Sequence, residues 1–147
     1  MHMYNNYYYK SSGTNMSLRA NAYAFIEKCY FDGCTVPLEI QGIKGQAGTY
    51  GVAKLYDCTV SSSCGAFAYN SDSIDANDLK NNKNNMIVQT TNRKQAVTSN
   101  NKFSVSFENS SSNFYLNSDG TSKVTNLIAT SKVPTEIPKV AGVHKNK

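Results

Sequence analysis

The sequence contains no tryptophan, and charged residues make up only 17% of its 147 positions. Its polarity comes instead from 18 Asn, 17 Ser and 11 Thr, close to a third of the chain. These side chains favour turns, caps and solvent-facing strand positions, and they disfavour helix interiors. The composition therefore excludes a helical bundle and a coiled coil. No apolar run reaches the ~18–20 residues that a membrane-spanning helix needs, and the first residues do not follow a signal-peptide pattern.

Histidine is also scarce, with His2 and His144 lying near the two ends of the sequence. Catalytic triads use a histidine base, and general acid–base chemistry needs paired titratable groups, whereas the ten acidic residues here are scattered. We therefore expect no enzymatic activity, no cofactor and no metal site. Asp72, Asp75 and Asp78 form the one acidic cluster, and their spacing favours a capped helical turn over a calcium loop.

The four cysteines form one C-x4-C pair, Cys29 and Cys34, and one C-x5-C pair, Cys58 and Cys64. Zinc knuckles use C-x2-C spacing, and no histidine lies nearby, so the pattern favours structural disulfides over a metal site. Disulfides imply an oxidising compartment, either the periplasm or the cell exterior. All three connectivities stay open, although Cys29–Cys34 and Cys58–Cys64 are favoured because short loops close easily.

The first part of the chain predicts a single helix. Met1-His2-Met3 resembles a cloning scar, and residues 1–16 are interpreted as a vector-derived start followed by a tyrosine-rich arm. From Ser17 to Phe31, apolar residues recur at the 3.6-residue spacing of an amphipathic helix. These residues are Leu18, Ala22, Phe25, Ile26 and Cys29.

After Cys34 the apolar pattern changes to a period of two, which is typical of strands. Predicted strands lie around residues 35–40, 50–56, 65–69, 86–90, 102–108, 113–117 and 124–130. One helix followed by six or seven antiparallel strands predicts an α+β fold, with the N-terminal amphipathic helix packed on a β-meander. The globular domain is placed at residues 17–133, and residues 134–147 are expected to form an extended, mobile basic tail.

Two stretches resemble the soluble domains of type IV pilin-like proteins, and most of all the minor pilins and the minor pseudopilins of type II secretion. The first is the helical run Arg19-Ala20-Asn21-Ala22-Tyr23-Ala24-Phe25-Ile26. The second begins at the alternating strand Phe103-Ser104-Val105-Ser106-Phe107 and runs through a Ser-rich hairpin to the Asp119-Gly120 turn. The apolar N-terminal half-helix and the processing site of that family are absent from this sequence.

The resemblance implies a structural role rather than a catalytic one. The protein would be a minor subunit of a bacterial type IV pilus or type II secretion filament, with other pilin or pseudopilin subunits as its partners. Its domain would lie on the extracellular or periplasmic side, and a preceding segment would anchor it in the inner membrane. Such a subunit presents loops, and the candidates are residues 41–49, 58–64 and 70–85.

A formal net charge of +5 permits contact with nucleic acid. Some minor pilins serve DNA uptake, so a DNA-binding minor pilin is an alternative function. The basic residues that are most densely placed, and hence the candidate contacts, are Arg93, Lys94, Lys102, Lys132, Lys139, Lys145 and Lys147.

A further alternative is a free secreted adhesin or carbohydrate-binding β module. The sequence has ten tyrosines, and the run Tyr7-Tyr8-Tyr9 is the most conspicuous group among them. Tyrosine rings provide flat amphipathic surfaces on which ligands can stack, although tyrosines packed along a helix or strand produce the same pattern.

Overall fold

The computed structural model of the protein describes residues 1–93, 124 and 126–140. In this part of the chain nine short strands follow one another before the first helix, and three consecutive strands make one coil of a solenoid. Corresponding strands of successive coils pair side by side in parallel, which is the arrangement of a parallel β-helix.

The first coil contains β1 (His2–Tyr4), β2 (Tyr7–Tyr9) and β3 (Ser17–Leu18). The second contains β4 (Tyr23–Glu27), β5 (Tyr30–Asp32) and β6 (Glu39–Ile40). The third contains β7 (Val52–Tyr56), β8 (Thr59–Val60) and β9 (Ala68–Tyr69). Then follow α1 (Ala76–Met86), β10 (Ile87–Thr90), a 3-10 turn (Thr130–Lys132) and α2 (Val133–Val140).

The coils stack into three sheets, with the strand orders β1-β4-β7-β10, β2-β5-β8 and β3-β6-β9. The alternation of side chains along each strand sends one set into the solenoid and the other outward. Inside, like side chains stack from coil to coil: the rings of Tyr8 and Phe31 lie parallel with centroids 4.7 Å apart, and Ile26 pairs in register with Leu55. The core is therefore a column of apolar layers that runs along the solenoid.

The turn between the first and second strands has the same backbone conformation in all three coils. Its first residue is left-handed each time, with φ of 50° at Asn5, 50° at Lys28 and 48° at Asp57. Asn and Asp tolerate this conformation better than other non-glycine residues. Lys28 is held there by an ion pair to Asp57 of the next coil, with Nζ and Oδ2 2.5 Å apart.

The predicted helix over residues 17–31 is wrong, because this segment forms β3, β4 and β5. Ala20 and Asn21 have positive φ values of 33° and 62°, which end any continuous right-handed helix. The helical spacing in the sequence arises because β4 is buried on both faces: Ala24 and Ile26 point into the solenoid, yet Phe25 on the outer face is buried too. A strand buried on both faces loses the alternation by which strands are identified.

The predicted α+β fold, a helix packed on an antiparallel meander, is also wrong. Every pair of named strands is parallel, and two short α-helices complete the part of the chain that the structure describes. Several strand positions are nevertheless confirmed, since β7 falls within residues 50–56 and β10 within residues 86–90. The strands predicted at residues 102–108 and 113–117 lie outside the described residues, and those described between 124 and 130 contain no strand.

The expectation of an extended segment after Val133 is wrong as well, because residues 133–140 form α2. Pro134 occupies the first turn of α2, where a missing backbone N–H costs nothing. The capped helical turn expected at the acidic cluster is confirmed, and the helix that begins there, α1, extends through Met86. Neither α-helix in the described ranges is long and apolar enough to span a bilayer.

The coil at Gly65 leaves no room for a side chain, because an added Cβ would lie 2.1 Å from the carbonyl oxygen of Thr35 in the preceding coil. We expect Gly65→Ala to lower the free energy of unfolding by at least about 2 kcal/mol, because backbone would have to move away from backbone. Urea denaturation measures the loss. Gly13→Ala is the control: a Cβ at position 13 meets nothing within 4 Å, so unchanged stability is expected there. Equal losses in the two variants would contradict this coil spacing.

Candidate functional site

The outer face of the β2-β5-β8 sheet carries a group of aromatic and polar side chains, which we call the tyrosine surface. It consists of Tyr7, Tyr9, Lys10, Tyr30 and Asp32. Alternation along β2 explains its origin, since Tyr8 packs against the core while its two neighbours point outward. Tyr30 joins them because it pairs in register with Tyr7 of the preceding coil.

The rings of this surface pack against one another. The centroids of Tyr7 and Tyr9 are 5.6 Å apart with 29° between the ring planes, and Tyr30 meets Tyr7 edge-on at 5.9 Å. Tyr9 is 55% exposed, and Lys10 places its ammonium 5.0 Å from the centre of the Tyr9 ring. The hydrogen bond and charge interaction with Tyr9 raise the pKa of Lys10, so Lys10 is a cation at neutral pH.

A carboxylate organises the polar edge of the tyrosine surface. The hydroxyl of Tyr7 donates to Asp32 at 3.3 Å, while Ser61 and Ser63 of the third coil donate to the other oxygen of Asp32 at 3.0 and 3.1 Å. Burial and the neighbouring Asp32 raise the pKa of Tyr7, which therefore stays a neutral hydroxyl. Stacking rings, a carboxylate, hydroxyls and an ammonium thus lie on one face, spread across three coils.

A second polar cluster lies on the outer face of the β1-β4-β7-β10 sheet, around the fully buried side chain of Glu27. His2 contacts Glu27 Oε1 through Nε2 at 2.9 Å, and Arg93 donates to both carboxylate oxygens, from Nε at 2.6 Å and from Nη2. His2 and Arg93 also lie over the ring of Phe25. This cluster fastens both the first strand and the segment after β10 to β4, and its burial leaves no open position for a substrate at Glu27.

Lys54 is the other buried charged residue of this sheet, with 2% of its surface exposed. No hydrogen bond or ion pair of its ammonium involves any residue that the structure describes. It borders a cavity of about 390 Å³ that is also lined by Asn84, Asn85 and the end of β10. Burial lowers the pKa of Lys54 because the ammonium has lost its hydration.

The candidate nucleic-acid contacts do not form one surface in the described part of the chain. Arg93 is largely buried and engaged with Glu27, so it is not available to a phosphate. Lys132 and Lys139 are exposed in the C-terminal helical segment, and Lys139 pairs with Glu136 at 2.9 Å. The remaining candidates, Lys94, Lys102, Lys145 and Lys147, lie outside the described residues.

The acidic cluster forms the capped helical turn that its spacing favours. Asp75 is the N-cap of α1 and accepts from the backbone N–H groups of Asn77 and Asp78. Asp78 in turn accepts from the backbone N–H of Gly48 at 2.6 Å, which ties α1 to the loop before β7. Across residues 1–93, 124 and 126–140, no three acidic, histidine or cysteine side chains lie together as a metal site.

The four cysteines lie at two positions of the coil. Cys29 and Cys34 belong to the second coil and are buried, and Cys58 and Cys64 belong to the third and are half-buried. The stacking of the second and third coils thus places Cys29 beside Cys58 and Cys34 beside Cys64. It does not bring together the two members of each sequence-adjacent pair. The compartment that the cysteines suggest stays a prediction.

Sequence reasoning singled out the tyrosine run but missed Lys10, Tyr30 and Asp32 as its companions. It also missed Glu27, which is one of ten acids and carries no local motif. The signal that was available is the alignment of Asn6-Tyr7-Tyr8-Tyr9 with Cys29-Tyr30-Phe31-Asp32, since the aligned residues are neighbours in register. No protein-family model matches the chain, and neither the curated proteins nor the solved structures contain a match to it.

We expect Glu27→Gln to lower the free energy of unfolding at pH 7 by about 3 kcal/mol, because it leaves the buried Arg93 guanidinium without its counter-charge. Burial alone would raise the pKa of Glu27, but the contacts with His2 and Arg93 outweigh it and the pKa is lowered. The carboxylate therefore stabilises the fold above about pH 4.3, its unfolded pKa, and this contribution disappears as the pH falls through the lower folded pKa.

Urea denaturation of wild type and Glu27→Gln between pH 3 and pH 7 measures this effect. The stability difference is expected to shrink towards acid pH. Glu39→Gln is the control, because Glu39 is only partly buried and bonds to the neutral partners Gln41 and Ser17. A Glu27→Gln variant as stable as Glu39→Gln at pH 7 would contradict the role of the cluster.

We expect Lys54→Met to raise the free energy of unfolding at pH 7 by on the order of 1 kcal/mol, since it removes a buried cation to which the described residues offer no counter-charge. The lowered folded pKa means that the wild type recovers this stability as the pH rises from the folded pKa towards about 10.4, the unfolded pKa. The advantage of the variant is thus greatest near neutrality and vanishes in alkali.

Urea denaturation at pH 7 and pH 10.5 tests the Lys54 prediction, with the exposed α1 residue Lys80 changed to Met as the control. A destabilised Lys54→Met protein at pH 7 would show that the ammonium is stabilised where it lies.

Proposed function

We propose that the protein binds carbohydrate chains on the tyrosine surface. The observation that carries the proposal is the pair of packed rings, half-buried Tyr7 and exposed Tyr9, bordered by Asp32 and Lys10. A sugar ring has apolar C–H faces and a rim of hydroxyl groups. Aromatic rings match the faces, while carboxylate, ammonium and hydroxyl groups match the rim.

The spacing of the coils supports a chain-like ligand. Strands in neighbouring coils are about 4.8 Å apart, so the three coils under the surface span about 10 Å. That length accommodates two or three linked sugars laid along the solenoid. Tyr9 would stack on the first, Tyr30 and Asp32 would face the middle, and Ser61 and Ser63 would lie at the far end.

The filament-subunit function remains a prediction without support from the described geometry. It was inferred from an N-terminal helix followed by an antiparallel meander, and residues 17–31 form neither. DNA binding also remains a prediction, since Arg93 is engaged elsewhere and most of the other candidates lie outside the described residues. The exposed rings favour the carbohydrate-binding alternative over both.

Affinity electrophoresis in gels containing a soluble polysaccharide tests the proposal, with one neutral glucan and one uronate polymer as separate probes. The wild type is expected to be retarded by at least one of them. Tyr9→Ala and Tyr7→Ala should weaken the binding tenfold or more, which corresponds to about 1.4 kcal/mol for each ring.

Tyr4→Ala is the matched control, because Tyr4 is 43% exposed but belongs to a different sheet. Thermal melts of the three variants separate lost binding from lost folding. No retardation by either polymer, or equal losses in Tyr4→Ala and Tyr9→Ala, would overturn the proposal.

A further inference from the structure

Two pairs of cysteines occupy matching positions in the second and third coils. Tyr30 pairs in register with Thr59, so the preceding residues, Cys29 and Cys58, are neighbours across the coils. At the other end of β5, the backbone N–H of Gly65 donates to the carbonyl of Cys34 at 2.9 Å, which places Cys64 beside Cys34.

We infer that two disulfides, Cys29–Cys58 and Cys34–Cys64, join the second and third coils of the solenoid. Neighbouring parallel strands lie about 4.8 Å apart, and disulfides bridge Cα atoms about 4.4–6.8 Å apart. The pairing favoured by short loops does not fit, because the extended β5 holds Cys29 and Cys34 at least about 10 Å apart. The diagonal pairing fails for the same reason, since it also has to cross the length of a strand.

The sulfur atoms of the third coil lie towards the second coil, whereas Cys34 Sγ lies towards the first coil, 3.4 Å from the carbonyl oxygen of Tyr8. Cys58 Sγ is 3.4 Å from the carbonyl oxygen of Ile26 in the second coil, and its interaction with the Cys29 thiol lowers the pKa of Cys29. Cys64 Sγ accepts from the backbone N–H of Cys34 at 3.3 Å. A bond between Cys34 and Cys64 requires the Cys34 side chain to rotate away from its contacts with the first coil.

The first coil has no cysteine at these positions and uses amides instead. The side-chain amide of Asn6, the neighbour of Cys29 in the first coil, approaches Cys29 Sγ at 3.7 Å. The amide of Asn15 donates to Cys34 Sγ at 3.0 Å. At both cysteine positions, the first coil is therefore joined to the second by a polar contact to sulfur instead of a disulfide.

A small disulfide such as oxidised glutathione supplies the oxidising equivalents. The Cys58 thiolate attacks one of its sulfurs and releases a glutathione thiolate, and Cys29 then attacks the Cys58 sulfur and releases the second. Two protein thiols are oxidised, one external disulfide is reduced, and two protons pass to solvent. The same sequence at half-buried Cys64 followed by Cys34 forms the second bond.

Access fits the order of these steps. Cys58 lines a cavity of about 360 Å³ together with Leu55, Asp57 and the end of β10. The interaction between the two thiols lowers the pKa of Cys29 and raises that of Cys58, so Cys29 is the readier thiolate for the second, intramolecular step and alkaline pH favours the first step at Cys58.

The test is to incubate the folded protein with oxidised glutathione, block remaining thiols with an alkylating agent and map peptides by mass spectrometry without reduction. The expected products link Cys29 to Cys58 and Cys34 to Cys64. Either other connectivity, or four alkylated thiols, would overturn the inference. The map needs no variant, so a folding defect cannot obscure it.

Single variants check each bond separately. Cys58→Ser should leave Cys29 open to alkylation in urea while the Cys34–Cys64 link persists, and Cys64→Ser should do the reverse. The oxidised wild type is expected to melt about 5–10 °C above the reduced protein. An unchanged or lower melting temperature would contradict covalent joining of undistorted coils.

Discussion

The in-register parallel pairing of one coil with the next is the constraint on which the rest of this structure depends. A strand of two to five residues cannot satisfy its backbone groups or bury its apolar side chains alone. Stacked on a neighbour, the strands gain backbone hydrogen bonds, and apolar side chains inside the solenoid gain an apolar side chain above or below them. Stability in such a solenoid is roughly a sum over adjacent coils, so each interface matters by itself.

The same pairing creates the tyrosine surface and brings the cysteines of two coils together. It places Tyr30 beside Tyr7 and Asp32 beside Tyr9, so that a surface arises from residues far apart in the sequence. It also sets the cysteines of the second coil beside those of the third. The buried Glu27 cluster then fixes the flank of the solenoid, because one carboxylate satisfies groups from both the first strand and the residue Arg93.

Some of this could be read from the sequence. Residues 52–56 and 87–90 were recognisable as strands from their apolar pattern, and the cluster of Asp72, Asp75 and Asp78 was recognisable as a capped helical turn. Strand direction was not recognisable, since alternation has the same period in parallel and antiparallel sheets. The helix predicted over residues 17–31 failed because burial of Phe25 and Glu27 on the outer face removed the alternation of β4.

The tyrosine run was visible, but its partners depend on a coil-to-coil register that no local pattern encodes. The most direct trace of that register was the recurrence of the cysteine pair Cys29 and Cys34 as Cys58 and Cys64 one coil later. This recurrence reflects the repeat of the solenoid rather than two closed loops.

The turns between coils differ greatly in length. Sequence changes in these turns therefore have different consequences from sequence changes in the strands. The connection from β6 to β7 is long and contains the left-handed Gly45 and Gly48, whereas β3 and β4 are joined by four residues, 19–22. Register is unaffected, because the strands on either side still find their partners. Segments at these corners can therefore grow, shrink or change composition while the tyrosine surface keeps its geometry. The strands and the corner segments are thus free to change in sequence at different rates.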